Sequence, residues 1–351
     1  MKIFITGGCG FVGSNLAIYL KNKFKKSEIF VFDNFFRAGS LFNKKRLLKN
    51  KIKIIKGDIR FEKDLSKIPK FDFLIDCAAD PSALSGVSDG LSYLVETNIN
   101  GTLNCLKLVK KNKAKIIFVS SSRVYSHEKI NSLRFKTTNK EIFPIKNCKG
   151  LDIKKGISED FDTEGLKTFY GFTKISAEKL IKEYSNIFGT DYIINRSGVI
   201  SGPWQWGRVD QGFMAYWIMA YMFKKKLKYI GYGSKGFQVR DILNVIDFCK
   251  VIELQISDFN KFNTGTFNIG GGMFSRISLS NLTEICKNIF KTTTVPFQSS
   301  DERAGDIPYY VTDFSKIKKL SGWKPEIPVE KTVEEIYLWV KNNKSKLINL
   351  I

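Results

Sequence analysis

Tyr170-Gly171-Phe172-Thr173-Lys174 places a phenol and an ammonium four residues apart, on one face at the start of a helical pattern. A phenol left to itself ionises at about pH 10, so acting as a base at neutral pH requires a nearby cation, which Lys174 supplies. The spacing alone also arises by chance, as a half-buried tyrosine above a surface lysine. Ser120-Ser121-Ser122, at the end of a preceding strand pattern, adds a hydroxyl able to bond a substrate oxygen while a hydride moves. A second constellation, Gly7-Gly8-Cys9-Gly10-Phe11-Val12-Gly13, follows a strand pattern and opens a helix. Gly7 permits the tight turn, Gly10 lets the backbone approach a pyrophosphate, and Gly13 allows helix to pack on strand, with the helix N-terminus facing the anion. Asp33 ends the second strand, where a carboxylate binds both hydroxyls of an adenosine ribose and repels a 2′-phosphate. NAD is therefore favoured over NADP, although Arg37 close by leaves NADP open. Asp58-Ile59 follows the third strand, with Asp58 placed to bond the adenine amino group and Ile59 to pack on its face; the alternative for Asp58 is a turn residue.

Such residues are brought together by alternating strands and helices. Lys2 to Thr6, Glu28 to Asp33, Lys51 to Lys56, Phe71 to Cys77 and Lys115 to Ser120 read as strands, and Val12 to Lys23, Ser92 to Lys111 and Tyr170 to Phe188 as helices. The alternation predicts an α/β fold with a Rossmann-like, doubly wound parallel sheet and a smaller C-terminal α/β lobe. Residues 124–168 are polar and lysine-rich, as in a long insertion near a site. The 351 residues, 43% hydrophobic and 26% charged, suffice for a substantial core and about two domains. The formal charge of +23 comes from lysines scattered along the chain without any nucleic-acid-binding pattern, so it reads as a solvated surface with mild attraction for anionic substrates. Cys9, Cys77, Cys105, Cys148, Cys249 and Cys286 form no CxxC pair and no metal-ligand cluster; they read as reduced thiols of a cytoplasmic protein, and no metal site is expected. The first apolar run is too short for a signal peptide and Phe213 to Phe223 too short to span a bilayer, so neither export by that route nor a membrane partner is expected.

Gly7, Gly10, Gly13, the serine strand end, Asn98-Ile99-Asn100-Gly101-Thr102 and the Tyr170–Lys174 pair together resemble the extended short-chain dehydrogenase/reductase superfamily of nucleotide-sugar epimerases and dehydratases, over nearly the whole chain. The resemblance implies an NAD-binding domain over residues 1–195, to which about 237–262 return, and a mainly nucleotide-sugar-binding lobe over 196–351. It makes Ser121, three positions before the Val124-Tyr125 pair, the catalytic serine, with Ser122 the alternative. It gives Lys174 a bond to the nicotinamide ribose, lets Ala78 and Ala79 line the cofactor beside Phe11, Val12 and Asn34, and has Asn98 hold the active-site backbone. For the substrate it implies Ser82, Ser122, Arg123 and Gln205 near the sugar, Arg240 and Arg303 on the pyrophosphate, and Asp306 on the ribose. Guanidinium groups suit that task because they bond phosphate oxygens in pairs. The helix Ser92 to Lys111 and the one after Tyr170 resemble the pair that packs against a second subunit, implying a homodimer or homotetramer.

Within the superfamily, Gly202-Pro203-Trp204-Gln205-Trp206-Gly207-Arg208-Val209-Asp210-Gln211-Gly212, Ser121 to Tyr125, Gln238 to Asp241 and Asn268 to Gly271 are most similar to the CDP-paratose (CDP-tyvelose) 2-epimerases. That branch implies inversion at C2 of a CDP-linked deoxyhexose. Trp204 and the loop Asp80-Pro81-Ser82 depart from it. Trp204 and Trp206 are candidates for the pocket, Tyr216 and Trp217 for the core. Dehydratases of the superfamily carry an acidic pair directly after the catalytic threonine, where this chain has Ser122 and Arg123, so dehydration is disfavoured. The runner-up is a UDP-sugar 4-epimerase, and a non-enzymatic alternative is a dinucleotide-sensing regulator, which usually lacks the tyrosine and lysine.

Overall fold

The computed structural model describes residues 1–82, 86, 90–208 and 211–348 and divides into two compact units. The first comprises 1–124, 169–197 and 248–267. Its β-branched and aromatic runs form β1 (Lys2–Thr6), β2 (Glu28–Asp33), β3 (Lys53–Lys56), β4 (Phe73–Asp76) and β5 (Lys115–Ser121). With strands Tyr192–Ser197 and Gly265–Ile269 they make a seven-stranded sheet in the order 265–269, 192–197, β5, β4, β1, β2, β3, the strands β1 to β5 and 192–197 pairing in parallel. Near-continuous apolar strands of this kind are expected where both faces are covered. Phe4, Phe30, Phe32, Leu74 and Phe118 of the sheet pack with Leu106 and Val109 from helix Gly101–Asn112 and with Ala177 and Ile181 from helix Phe169–Phe188. All strand C-termini of the parallel set point to one edge, where ligands of such sheets bind.

The second unit comprises 125–168, 198–247 and 268–351. Its four-stranded sheet is centred on Val239–Asn244, which pairs in parallel with Val199–Ser201 and Tyr309–Tyr310 and antiparallel with Arg276–Ser278. The insertion 124–168 carries two small antiparallel pairs, Phe135–Thr138 with Glu141–Pro144 and Leu151–Asp152 with Gly156–Ile157. Contacts thus count 125–168 with the second unit, whereas the sequence assigns it to 1–195, and the returning segment is 248–267.

Two local features differ from the sequence reading. The expected helix Ser92 to Lys111 is three pieces, Leu91–Val95, a π-helical turn Glu96–Asn100, and Gly101–Asn112. Helix α2 (Ala38–Lys49) is an addition: it buries Gly39, Ser40 and Asn43 beside Leu47, where an apolar stripe would have announced it. Trp204 and Trp206, both half-buried, stand with their ring centroids 6.0 Å from that of Trp339, while Trp217 stacks on Tyr229, also at 6.0 Å. Val209 and Asp210 of the Gly202–Gly212 motif lie outside the described residues. Among the described residues no helix is long and apolar enough to cross a membrane.

Between the sheet and helix Phe169–Phe188 lies a fully desolvated ion pair. Arg196 Nη2 donates to Glu178 Oε2 at 2.8 Å, Arg196 Nε reaches both carboxylate oxygens at 3.1 Å, and Ser120 Oγ donates to Glu178 Oε1 at 2.5 Å. Removing one partner of such a pair leaves an uncompensated buried charge. Glu178→Ala is expected to lower unfolding stability by about 3–5 kcal/mol, and the double variant Glu178→Met/Arg196→Met by much less, as urea denaturation will measure.

Candidate active site

The turn after β1 is shaped by close backbone approach. Gly7 has φ +59°, and a Cβ there would stand 2.7 Å from the Cys77 carbonyl; at Gly13 a Cβ would stand 2.5 Å from the Gly7 carbonyl. Neither position admits a side chain. Gly10 is the N-cap of α1 (Phe11–Lys23) and supplies no side-chain cap, so the first N–H groups of the helix, those of Phe11 and Val12 among them, are left for an anion. Asp33 at the end of β2 is buried beneath the turn, its carboxylate accepting from Cys9 N–H at 2.9 Å and Phe35 N–H at 2.8 Å. Burial raises its pKa, and the hydrogen bonds from Phe35 and Cys9 oppose the rise. An uncapped helix start beside a carboxylate at the next strand end fits a dinucleotide.

Asp58 is bonded by its neighbours. Arg60 Nε and the Arg60 N–H reach Asp58 Oδ1, each at 3.0 Å, while Arg60 Nη2 at 2.8 Å and Asn34 Nδ2 at 2.9 Å reach Oδ2. These donors hold the Asp58 carboxylate against its own turn, the arrangement of the turn-residue alternative. Ile59 is buried and packs against Gly101. Arg37, the residue that left NADP open, is ion-paired to Asp80.

The reacting groups sit at the next strand ends. Ser121 ends β5, and Ser122 and Arg123 follow in a short 3₁₀ turn. Tyr170 opens the buried face of helix Phe169–Phe188. Burial raises its pKa, opposed by a hydrogen bond with Ser121 and by the Arg123 charge, while the charge of Asp80 raises it further. Ser121, Tyr170, Arg123 and Asp80 are thereby one electrostatic group. Lys174, one turn on, faces elsewhere than the sequence suggests: its ammonium interacts with Asp76, Glu178 and Cys77 and lies 3.9 Å from the ring centroid of Phe118. The cation that favours the Tyr170 phenolate here is Arg123. Burial lowers the Lys174 pKa to about 8 against the pull of Asp76. Asp76 is itself buried at the end of β4; burial raises its pKa, opposed by Lys174, by Thr6 Oγ1 donating at 2.6 Å and by Ala78 N–H at 3.2 Å.

Asn98 lies in the π-helical turn and clamps the loop after β4. Its Oδ1 accepts from Asp80 N–H at 2.8 Å, and its Nδ2 donates to the Asp80 carbonyl at 3.2 Å and to Thr173 Oγ1 at 2.9 Å. Ala78 and Ala79 precede the clamped residue and buried Ser82 follows it. Asp76 and Asp80 are the residues sequence reasoning missed. An acid ending the apolar run Phe73-Leu74-Ile75-Asp76 was the available signal for the first, whereas nothing local announced the second.

In the second unit, Arg240 Nη2 donates to Asp306 Oδ1 at 2.9 Å and to the Ile307 carbonyl at 2.8 Å. Asp306 N–H bonds the Arg303 carbonyl at 3.1 Å, putting Arg303 on the same turn. Gln205 is occupied apart from them: its Oε1 accepts from Ser201 Oγ at 2.8 Å and its Nε2 donates to the Ile200 carbonyl at 3.2 Å.

A parallel Rossmann-like sheet with a dinucleotide turn and a tyrosine–serine pair at its strand ends defines a class of nicotinamide-dependent enzymes. Residues 3–270 match the model of the NAD dependent epimerase/dehydratase family, and the chain belongs to that family. It is an NAD-dependent enzyme of the nucleotide-sugar epimerase and dehydratase superfamily. The chain is 28% identical over 353 residues to the CDP-paratose 2-epimerase of Salmonella typhi, covering 97% of this chain and 100% of that one. It is 27% identical to the dTDP-D-glucose 4,6-dehydratase of Dictyostelium discoideum over 99% of this chain and 83% of that one. In fold it is similar to the UDP-glucuronic acid 4-epimerase of Bacillus cereus, solved with UDP-glucuronic acid and NAD, with a TM-score of 0.78, 24% identity and coverage of 97% and 99%.

The depressed Lys174 pKa fixes the sign of one pH effect. Below about 8 both folded and unfolded chains hold that proton, and burying the ammonium is destabilising in full. As pH rises from about 8 toward the ordinary 10.5, the unfolded chain binds more protons and stability rises. The apoenzyme is expected to gain stability relative to Lys174→Met between pH 7.5 and 9.5 (approximate bounds on either side of that onset), on the order of 1–2 kcal/mol, read from paired urea unfolding curves.

Proposed function

We propose that the enzyme inverts C2 of a CDP-linked deoxyhexose, converting a CDP-paratose-type sugar to its CDP-tyvelose-type epimer. The observation that carries this reading is that Ser122 and Arg123, and no acidic pair, follow Ser121 at the end of β5. Elimination of water needs an acid directly after the catalytic hydroxyl residue, and Ser122 and Arg123 occupy those positions. The match to a relative named as a CDP-paratose 2-epimerase over the full length of both chains supports the choice among epimerases.

The chain's own groups divide the work. Tyr170 as phenolate takes the proton of the C2 hydroxyl onto its oxygen, with Ser121 bonding the same substrate oxygen as it becomes a carbonyl. Arg123 favours the phenolate at that moment. NAD, when bound, accepts the C2 hydride and later returns it to the opposite face, so that none is consumed. Tyr170 gives its proton back to the new alkoxide as the centre closes inverted. Gly7, Gly10 and Gly13 with Phe11 and Val12 hold the cofactor diphosphate, Asp33 the adenosine ribose and Lys174 the nicotinamide ribose. In the second unit Arg240, Arg303 and Asp306 are assigned the substrate nucleotide, with Arg240 released from Asp306 to bond phosphate oxygens.

Tyr170→Phe is expected to lose roughly 10²- to 10⁴-fold in turnover while NAD still copurifies. Product NMR with CDP-paratose should show inversion at C2 by the wild type. Inversion at C4 of a UDP-sugar with CDP-paratose left unchanged overturns the assignment, and wild-type turnover by Tyr170→Phe overturns the mechanism.

A further inference from the structure

In the sheet order β4, β1, β2, the glycine turn that leaves β1 is flanked by the loops that leave β2 and β4. Those two loops are joined by side chains. Arg37, the N-cap position of α2 in the loop after β2, is ion-paired through Nη2 to Oδ1 of Asp80 in the loop after β4. One residue earlier, the Phe36 ring packs 4.9 Å from that of Tyr93, in the helix Leu91–Val95 that follows the β4 loop. The chain therefore links the strands on either side of β1 at the level of its glycine turn.

The pair has an anchored member and an outward one. Asp80 is buried, and its backbone is bonded in both directions by Asn98. The Arg37 side chain remains 34% exposed and its guanidinium lies 5.7 Å from the Phe36 ring centroid. A guanidinium is always charged and carries five donors in a planar fork, so bonding Asp80 through one nitrogen leaves others for a second acceptor. The anion that the first turn of α1 is built to accept would lie between the two joined loops.

We propose that Arg37 is a cofactor-binding residue: oriented by Asp80, it closes over the diphosphate of NAD and retains the dinucleotide through the catalytic cycle. The proposal rests on the reading that the glycine turn holds NAD. A reaction that lends a hydride and takes it back stalls if the cofactor leaves in between, and a phosphate-bonding strap across the turn slows that departure. Asp80 acts through Arg37 as a positioning residue. It also engages a guanidinium that a 2′-phosphate would seek.

Isothermal titration of cofactor-stripped enzyme with NAD, ADP-ribose and adenosine tests this, alongside NAD release followed by gel filtration. Arg37→Ala is expected to weaken NAD and ADP-ribose by roughly 10- to 100-fold and to speed NAD release, with adenosine affinity unchanged. Arg37→Lys should restore part of the loss, and Asp80→Asn should show a smaller loss in the same two ligands. Unchanged NAD and ADP-ribose affinity in Arg37→Ala overturns the strap, as does equal loss for adenosine, which would mark a loop that merely fails to fold. A wild type that binds ADP-ribose no better than adenosine overturns instead the placement of the diphosphate on the glycine turn.

Discussion

An ammonium withdrawn from water persists only where countercharge and polarisable surroundings replace its hydration, and Lys174 is 2% exposed. The charges of Asp76 and Glu178 offset that cost in part, burial still lowering the Lys174 pKa to about 8, and the ammonium lies 3.9 Å from the ring centroid of Phe118. Asp76 in turn is bonded by Thr6 at the end of β1 and by the Ala78 N–H of its own loop. Glu178 is tied to Ser120 and Arg196. Around this buried cation Asp76 thus joins the ends of β1 and β4, and Glu178 joins β5 to the helix that carries Tyr170, and the ligand loops grow from those same strand ends. Were the ammonium unpaired, burial would strip its proton and the network would lose the charge that organises it.

The parallel sheet makes such a network economical. Gly7, Asp33, Asp76 and Ser121 each stand at or just beyond a strand's C-terminal end, so residues distant in sequence arrive on one edge without long loops. The π-helical turn Glu96–Asn100 adds an adjustment of one residue in the helix that faces this edge. An inserted residue of this type re-aims side chains locally and is common at functional sites. Here Asn98 lies in the turn, where it bonds both Thr173, on the helix of Tyr170, and the Asp80 backbone.

What the sequence disclosed was short in range. The glycine spacing, Asp33 after the second strand and the tyrosine–lysine interval are local patterns with local geometry, and all three occur where strand and helix periodicity put them. The bonding of Asp58 to Arg60 and Asn34 was not legible, because residue type tells what a carboxylate can bond and not which partners reach it first. Lys174 shows the same limit: an interval of four aligns it with Tyr170 on the helix, while its ammonium lies over the ring of Phe118 on β5, more than fifty residues earlier. The Arg37–Asp80 pair joins positions 43 apart and has no periodic signature at all. Helix α2 escaped because its buried face is Gly39, Ser40, Asn43 and Leu47 while Leu41 and Leu48 are exposed, so no apolar stripe reveals its period.

The electrostatics around Tyr170 bear on why the proposed chemistry is reversible. Burial and Asp80 raise the proton affinity of the phenol, while Ser121 and Arg123 restrain it. A base of very low proton affinity would not accept a sugar hydroxyl proton, and the Arg123 charge works in the other sense, toward the phenolate. Proton exchange between two groups of similar affinity has little driving force in either direction. An enzyme that oxidises a carbon only to reduce it again needs that balance, since the tyrosine must surrender the proton it has taken. A dehydratase, by contrast, commits its proton to a departing hydroxide and has use for a carboxylic acid at the position where Arg123 stands. The epimerase proposal therefore rests on Ser122 and Arg123 standing where an acidic pair would follow the catalytic hydroxyl of a dehydratase.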